Sequence, residues 1–389
     1  MFSALKNKTL LKLDITILVF SIIGFMSGAV SIPYIIELGG GVYEVNLITM
    51  IPSTIGLLLM VPFGALSDKF GRKPMLIYPM PLQLASFLIY AFATNPYQLI
   101  LASILSGLSG HEFMPVLLSM VADVAERKQE ALSVFFFMSS IGMFLGPALG
   151  SLILLLPNMT IRNLYQILSI VQFFFTIYII VAIKETKQKA NRGEKAFSYR
   201  LSFSSLLRQR KFLGLIIALL MYFLYESILL TYLPMVCVGL NFTDAEISSI
   251  SSFRNLATML MRFSIPLILL KISSFQLFVL GLLLGGISGI APIIMNNYIE
   301  SVVIMFVSGL SYGMVFTLAS IFTAEWSSPE NRGMANSLVM LTRGVSFIIR
   351  MITVPIANTM GFNILFIISG IISFSSILPM VILSREIKQ

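Results

Sequence analysis

Residues 64–74 read GALSDKFGRKP and lie between two apolar stretches, near 45–63 and 75–93, each long enough to cross a bilayer. Asp68, Lys69, Arg72 and Lys73 crowd into this segment, which is expected to form a short turn at the membrane surface. Gly64 and Gly71 permit close backbone approach and a sharp reversal. The three cations favour the cytoplasmic side, because short loops rich in Lys and Arg resist translocation.

The rest of the chain has the composition such a turn requires. Of 389 residues, 57% are hydrophobic and only 11% charged, where a soluble protein carries about a quarter charged. Mean hydropathy is +0.93. Twelve segments have the length and apolarity of a spanning helix: 14–36, 45–63, 75–93, 98–121, 132–156, 163–183, 212–236, 245–270, 275–295, 299–323, 333–357 and 361–383. These are continuous runs of helical length, whereas a closed β-barrel would show short alternating segments.

The net charge of +9 is a topology signal and no nucleic-acid footprint. Of 26 Lys and Arg, 21 fall in loops on one face, nine of them in the connector 184–211. Only Arg162 lies in an opposite-face loop, and four arginines lie inside spans. This bias implies an even number of spans with both termini in the cytoplasm. The first apolar run is too long for a cleavable signal peptide and lacks an Ala-x-Ala site. The single Cys237 cannot form an intrachain disulfide.

The connector KETKQKANRGEKAFSYRLSFSSLLRQRK (184–211) divides the chain into residues 1–183 and 212–389, six spans each. The halves repeat in parallel. SGLS occurs at 106–109 in span 4 and at 308–311 in span 10, and these spans end in Ala122-Asp123 and Ala324-Glu325. Pro33, Gly39 and Glu44 correspond to Pro234, Gly239 and Asp244.

Segment 64–74, at this position between spans 2 and 3, resembles the loop motif of the major facilitator superfamily. The resemblance implies an all-α polytopic membrane protein: twelve transmembrane helices in two pseudo-symmetric six-helix bundles, with a small-molecule substrate bound near the midplane between them. It also implies that Gly64, Asp68, Lys69, Gly71, Arg72 and Lys73 gate the conformational change. Asp68 would meet the start of span 11 near Arg332 and Gly333.

In span 5, Gly142, Gly146 and Gly150 recur every four residues around Pro147. They form a smooth face for another helix, and the proline can bend the span there. The pattern is similar to the antiporter motif of the twelve-span drug–proton exporters of that superfamily. Its other reading is an ordinary packing face. The chain departs from that branch in span 4, where the usual arginine four residues before a glycine is Ser103. The second half also has no copy of the 64–74 motif.

Ionisable groups at membrane depth are costly and usually face a cavity or a partner. Here they are His111 and Glu112 in span 4, Glu226 in span 7, Arg254 and Arg262 in span 8, and Arg343 and Arg350 in span 11. None occurs inside spans 3, 6, 9 or 12, the outer helices of the resembled fold. Arg343 and Arg350 are seven apart and are expected on one face, extended into a polar stripe by Asn336, Ser346 and Thr353. Arg254, Arg343 and Arg350 are the candidates for binding an anionic group, since a guanidinium suits bidentate contact with carboxylate or phosphate. Pairing of Arg254 with Glu226 is the alternative. Arg262 is close enough to the cytoplasmic end to snorkel.

His111, Glu112 and Glu226 are the candidates for proton coupling. A desolvated carboxyl binds protons near neutrality, and a nearby arginine reverses that. Asp14 reads as an interfacial residue. No pattern supports metal ligation, a nucleophile or a nucleotide-binding loop, so neither cofactor nor catalysis is expected.

These features lead to the expectation of a monomeric, proton-driven secondary transporter of the plasma membrane. It would export a small organic molecule bearing an anionic group. Uptake or exchange of organic anions or phosphate esters, export of lipophilic cations, and a sensor that has lost transport remain as alternatives.

Overall fold

The structure is a computed structural model that describes residues 7–110, 113–186, 209–327 and 332–384. His111, Glu112 and most of the connector therefore lie outside the described residues. Every regular element among the described residues is helical. Helices keep their backbone hydrogen bonds within one segment, the condition for crossing lipid.

Among the described residues, eleven helices are long and apolar enough to span a membrane, from Lys8–Glu37 (span 1) to Phe362–Ile382 (span 12). The eighth span is also a continuous helix, Asp244–Ile268. Its arginines 254 and 262, Asn255 and a run of serines lower its hydropathy below that of the others. Polar caps mark several ends: Asn7 before span 1, Thr160 with Asn163 before Ile161–Ala182 (span 6), and Ser273 with Gln276 before Ser274–Ile290 (span 9).

The chain forms two compact units. The first comprises residues 1–192 and 241–252; the second comprises 193–240 and 253–389. In the first, span 1 packs along Lys128–Leu154 (span 5), and the span 5 glycines allow it. A Cβ on Gly142 would fall 2.7 Å from the Leu18 carbonyl, and one on Gly146 2.6 Å from that of Ile22. The C-terminal part of span 5 also binds residues 241–252: Ser151 donates to the Ala245 carbonyl (2.8 Å), Ser248 to Pro147 (2.8 Å) and Ser252 to Phe144 (3.1 Å). In the second unit, span 9 lies against Tyr298–Trp326 (span 10) and span 12, while Arg210–Gly239 (span 7) packs on Arg332–Ile349 of span 11.

Two sequence expectations need correction. Residues 64–74 are not one turn. Span 2 continues as helix Val42–Phe70, and a new helix starts at Arg72, so the reversal rests on Gly71 alone, at φ +103°. Only a residue without Cβ takes that conformation readily. Span 11 is not one continuous helix either. It passes through a 3₁₀ turn, Arg350–Ile352, into Thr353–Met360. Pro355 has no N–H for the Met351 carbonyl and crowds it, which loosens the turn before it. The tighter turn begins at Arg350, so the helical phase changes only beyond it, between Arg350 and Thr353.

Candidate functional site

The site in the second unit is built on close approach of spans 8 and 10. A Cβ on Gly309 would collide with the Arg254 carbonyl, and one on Gly313 would sit 2.8 Å from Met261 Cβ. Thr258 seals the crossing by donating to the carbonyls of Arg254 (3.1 Å) and Gly309 (3.0 Å). The SGLS repeat at 308–311 supplies the neighbouring seam. Ser311 meets the Tyr222 hydroxyl at 2.9 Å and donates to the Gly281 carbonyl (2.7 Å), and Tyr225 donates to Ser308 at 3.3 Å. A motif that marks the internal repeat in the sequence thus locks span 10 to spans 7 and 9.

Arg254 forms an ion pair with Glu226 of span 7, both side chains nearly inaccessible at 8% and 4% exposure. Pairing, one of the two readings of Arg254, is what the structure contains. Its Nε is buried without a hydrogen-bond acceptor. The guanidinium lies 5.0 Å from the centre of the Tyr312 ring. Arg343 lies 5.7 Å from the same ring and donates to its hydroxyl (3.3 Å). Arg262 is 5.9 Å from that ring and 5.6 Å from Phe316, so its head rests on span 10 aromatics, contrary to the expected snorkelling. Arg262 and Arg343 are half-buried, and neither forms an ion pair among the described residues. Three guanidinium groups against one carboxylate leave a surplus of two positive charges around Tyr312. The aromatic faces offset part of that cost through cation–π attraction.

Arg350 is placed elsewhere. At 1% exposure it reaches span 7, donating to Thr231 Oγ1 and to the Ser227 carbonyl (3.4 Å), and packs over Phe347 (5.1 Å). Its geometry is that of a tie between spans 7 and 11.

A second constellation surrounds Gly71. Arg72 pairs with Asp123 at the end of span 4 (3.6 Å) and donates to Ser67 (3.0 Å). Glu185 accepts from the backbone N–H groups of Arg72 (3.1 Å) and Lys73 (3.0 Å), where the first donors of a helix are otherwise unsatisfied. Lys73 Nζ donates to the Ile180 carbonyl (2.8 Å). The segment is therefore fastened to the ends of spans 4 and 6. The side chains of Asp68 and Lys69 lie outside the described residues, as does the pairing expected for Asp68.

Sequence reasoning missed three residues. Tyr312, the hub of the arginine cluster, directly follows the repeated SGLS and stands four positions before Phe316, a spacing that puts both rings on one helix face. Glu185 is the second residue of a connector read only as a basic tether. Asp14, read as interfacial, is buried at 2% exposure, and its Oδ1 has no hydrogen-bond partner.

The sequence profile of the Major Facilitator Superfamily matches residues 15–291 and 239–389. The chain is 25% identical over 209 residues to "Multidrug resistance protein MdtH" of Yersinia enterocolitica, a match covering 53% of this chain and 50% of that protein. The chain thus spans about half the length of this curated relative. Among solved structures, a mutant of the nucleoside transporter NupG superposes with a TM-score of 0.82 at 12% identity, covering 97% of this chain and all of the other. A POT family transporter in complex with 5-aminolevulinic acid gives 0.80 at 14% identity, covering 98% and 96%. These likenesses are in fold, and they agree with the profile: the chain is an integral membrane protein and belongs to the major facilitator superfamily.

Proposed function

We propose that this transporter works by alternating access between two six-helix bundles, residues 1–183 and 212–389, in the plasma membrane with both termini cytoplasmic. Its cargo is a small organic molecule bearing an anionic group. One observation carries the cargo class: Arg254, Arg262 and Arg343 converge on Tyr312 with only Glu226 to balance them among the described residues. A surplus of positive charge held in half-buried surroundings is costly unless an anion completes the site. The unsatisfied Nε of Arg254 adds a donor with no acceptor. When cargo leaves, Glu226 keeps Arg254 paired, which lowers the cost of returning the empty carrier.

Export is supported by the glycine–proline face of span 5 and by the name of the Yersinia relative. Exchange against protons requires a carboxylate apart from the cargo arginines. Asp14, buried with an unpartnered oxygen, fits that role, as does the His111-Glu112 pair expected from the sequence. The network around Gly71 would then brace the cytoplasmic side through Arg72, Asp123 and Glu185.

A second reading rests on the Glu226–Arg254 pair itself. Protonating Glu226 releases Arg254, so a proton and an anion at this site would favour each other's binding. That linkage is what cotransport into the cell needs.

One experiment separates the readings. Proteoliposomes holding a pH-sensitive dye are given a panel of carboxylates, their neutral methyl esters and lipophilic cations. Anion-selective flux with opposed proton movement supports export by exchange, and parallel movement supports cotransport. Flux confined to lipophilic cations would refute the anionic cargo, and no flux with any compound would favour a sensor.

A further inference from the structure

We infer that a groove between the start of span 1 and the end of span 6 binds the phosphate of an anionic membrane phospholipid. The inference rests on the proposed orientation, which places this end at the cytoplasmic leaflet, and not on the identity of the cargo. The cavity holds about 210 Å³, below the range of ~300–1,000 Å³ usual for drug-sized ligands and suited to a headgroup.

Its chemistry is divided in two. Lys8, Lys12 and Lys184 supply three ammonium groups, while Leu13, Ala182 and Ile183 supply an apolar wall. Lys12 is held in place by donating to the Ala182 carbonyl (3.2 Å), which leaves two of its three donors for a ligand. Lys8 and Lys184 are exposed, and no carboxylate pairs with any of the three among the described residues. Of the two acids nearest in sequence, Glu185 is engaged by the backbone of Arg72 and Lys73, and Asp14 is buried at 2% exposure.

Two further observations favour an anion held at a bilayer boundary. The first turn of span 1 contains no acidic residue, so the positive end of a 30-residue helix adds to the lysines. Beside the groove, Leu11 and Val181 expose their apolar side chains at 38% and 77%. Exposed aliphatic residues interleaved with lysines match the composition of a headgroup–acyl boundary better than that of a site for a soluble phosphate.

The test is native mass spectrometry of the purified full chain titrated with dioleoylphosphatidylglycerol or dioleoylphosphatidylcholine. The wild type should retain one phosphatidylglycerol at concentrations where phosphatidylcholine dissociates. Each lysine near an anionic surface contributes about fivefold, so Lys8→Gln/Lys12→Gln/Lys184→Gln should weaken retention on the order of a hundredfold. Lys8→Arg/Lys12→Arg/Lys184→Arg should restore it, which guards against misfolding as the cause. Arg127→Gln/Lys128→Gln/Lys271→Gln removes the same charge elsewhere and should leave retention unchanged. Equal loss in that control would reduce the effect to general attraction and overturn the site. Competition by sn-glycerol 3-phosphate at the lipid's own concentration would overturn its assignment to a lipid.

Discussion

Substituting Glu226→Gln separates the two jobs assigned to this carboxylate. In the wild type it neutralises one of three guanidinium groups around Tyr312 and does so at 4% exposure. Removing one member of a buried ion pair typically costs about 3–5 kcal/mol, because the other charge stays buried. The amide oxygen of glutamine can still accept from Arg254, so the low end applies, roughly 3 kcal/mol. The same change raises the local surplus from two positive charges to three and removes the internal competitor for Arg254. An anionic ligand should then bind more tightly, by about the value of one charge-assisted hydrogen bond, ~1.5–3 kcal/mol, or roughly tenfold to a hundredfold.

The variant is therefore expected to melt earlier without ligand and to recover more than the wild type when ligand is added. Thermal unfolding of detergent-purified protein across a titration of a carboxylate and its methyl ester measures both effects. Weaker carboxylate binding in Glu226→Gln, with the fold intact, would refute the reasoning. Glu226 would then be a contact for the cargo and not its substitute.

Three other outcomes are expected. Gly309→Val puts a side chain against the Arg254 carbonyl and should part spans 8 and 10 at a cost of about 1–3 kcal/mol, abolishing flux of charged and neutral cargo alike in proteoliposomes. Arg350→Gln should lower the melting temperature yet leave the ratio of carboxylate to ester flux unchanged, because its partners are Thr231 and Ser227 of span 7. Asp14→Asn should preserve carboxylate binding and expression while dissociating transport from an imposed pH gradient; unchanged coupling would remove Asp14 from the proton path.

Much of the fold was legible because its signals are long. A run of about twenty apolar residues needs no tertiary information to be read as a spanning helix. What the sequence concealed is shorter in range. Asp68 and Lys69 read as a loop because they are charged, yet they continue the helix of span 2, and Gly71 alone breaks it. The extension of the Arg343 stripe to Thr353 assumed an unbroken span 11. Pro355, four residues after Met351, was the available sign that the helix tightens there. Arg254 with Glu226 could be named as a pair but not decided, since two readings fit one sequence. Tyr312 gave no signal of charge at all. Its importance comes from the glycines at 309 and 313, which bring span 10 close enough to span 8 for Arg254 and Arg262 to reach one ring, met by Arg343 from span 11.

The anionic cargo site is tested most directly by Arg343→Gln, the member of the cluster that forms no ion pair among the described residues and donates to the Tyr312 hydroxyl. Equilibrium binding of a carboxylate and of its methyl ester is measured on the wild type and the variant at one pH and ionic strength. Loss of a charge-assisted contact worth ~1.5–3 kcal/mol predicts at least about tenfold weaker carboxylate binding with ester binding unchanged. Equal effects on both ligands, or none on the carboxylate, would contradict the account.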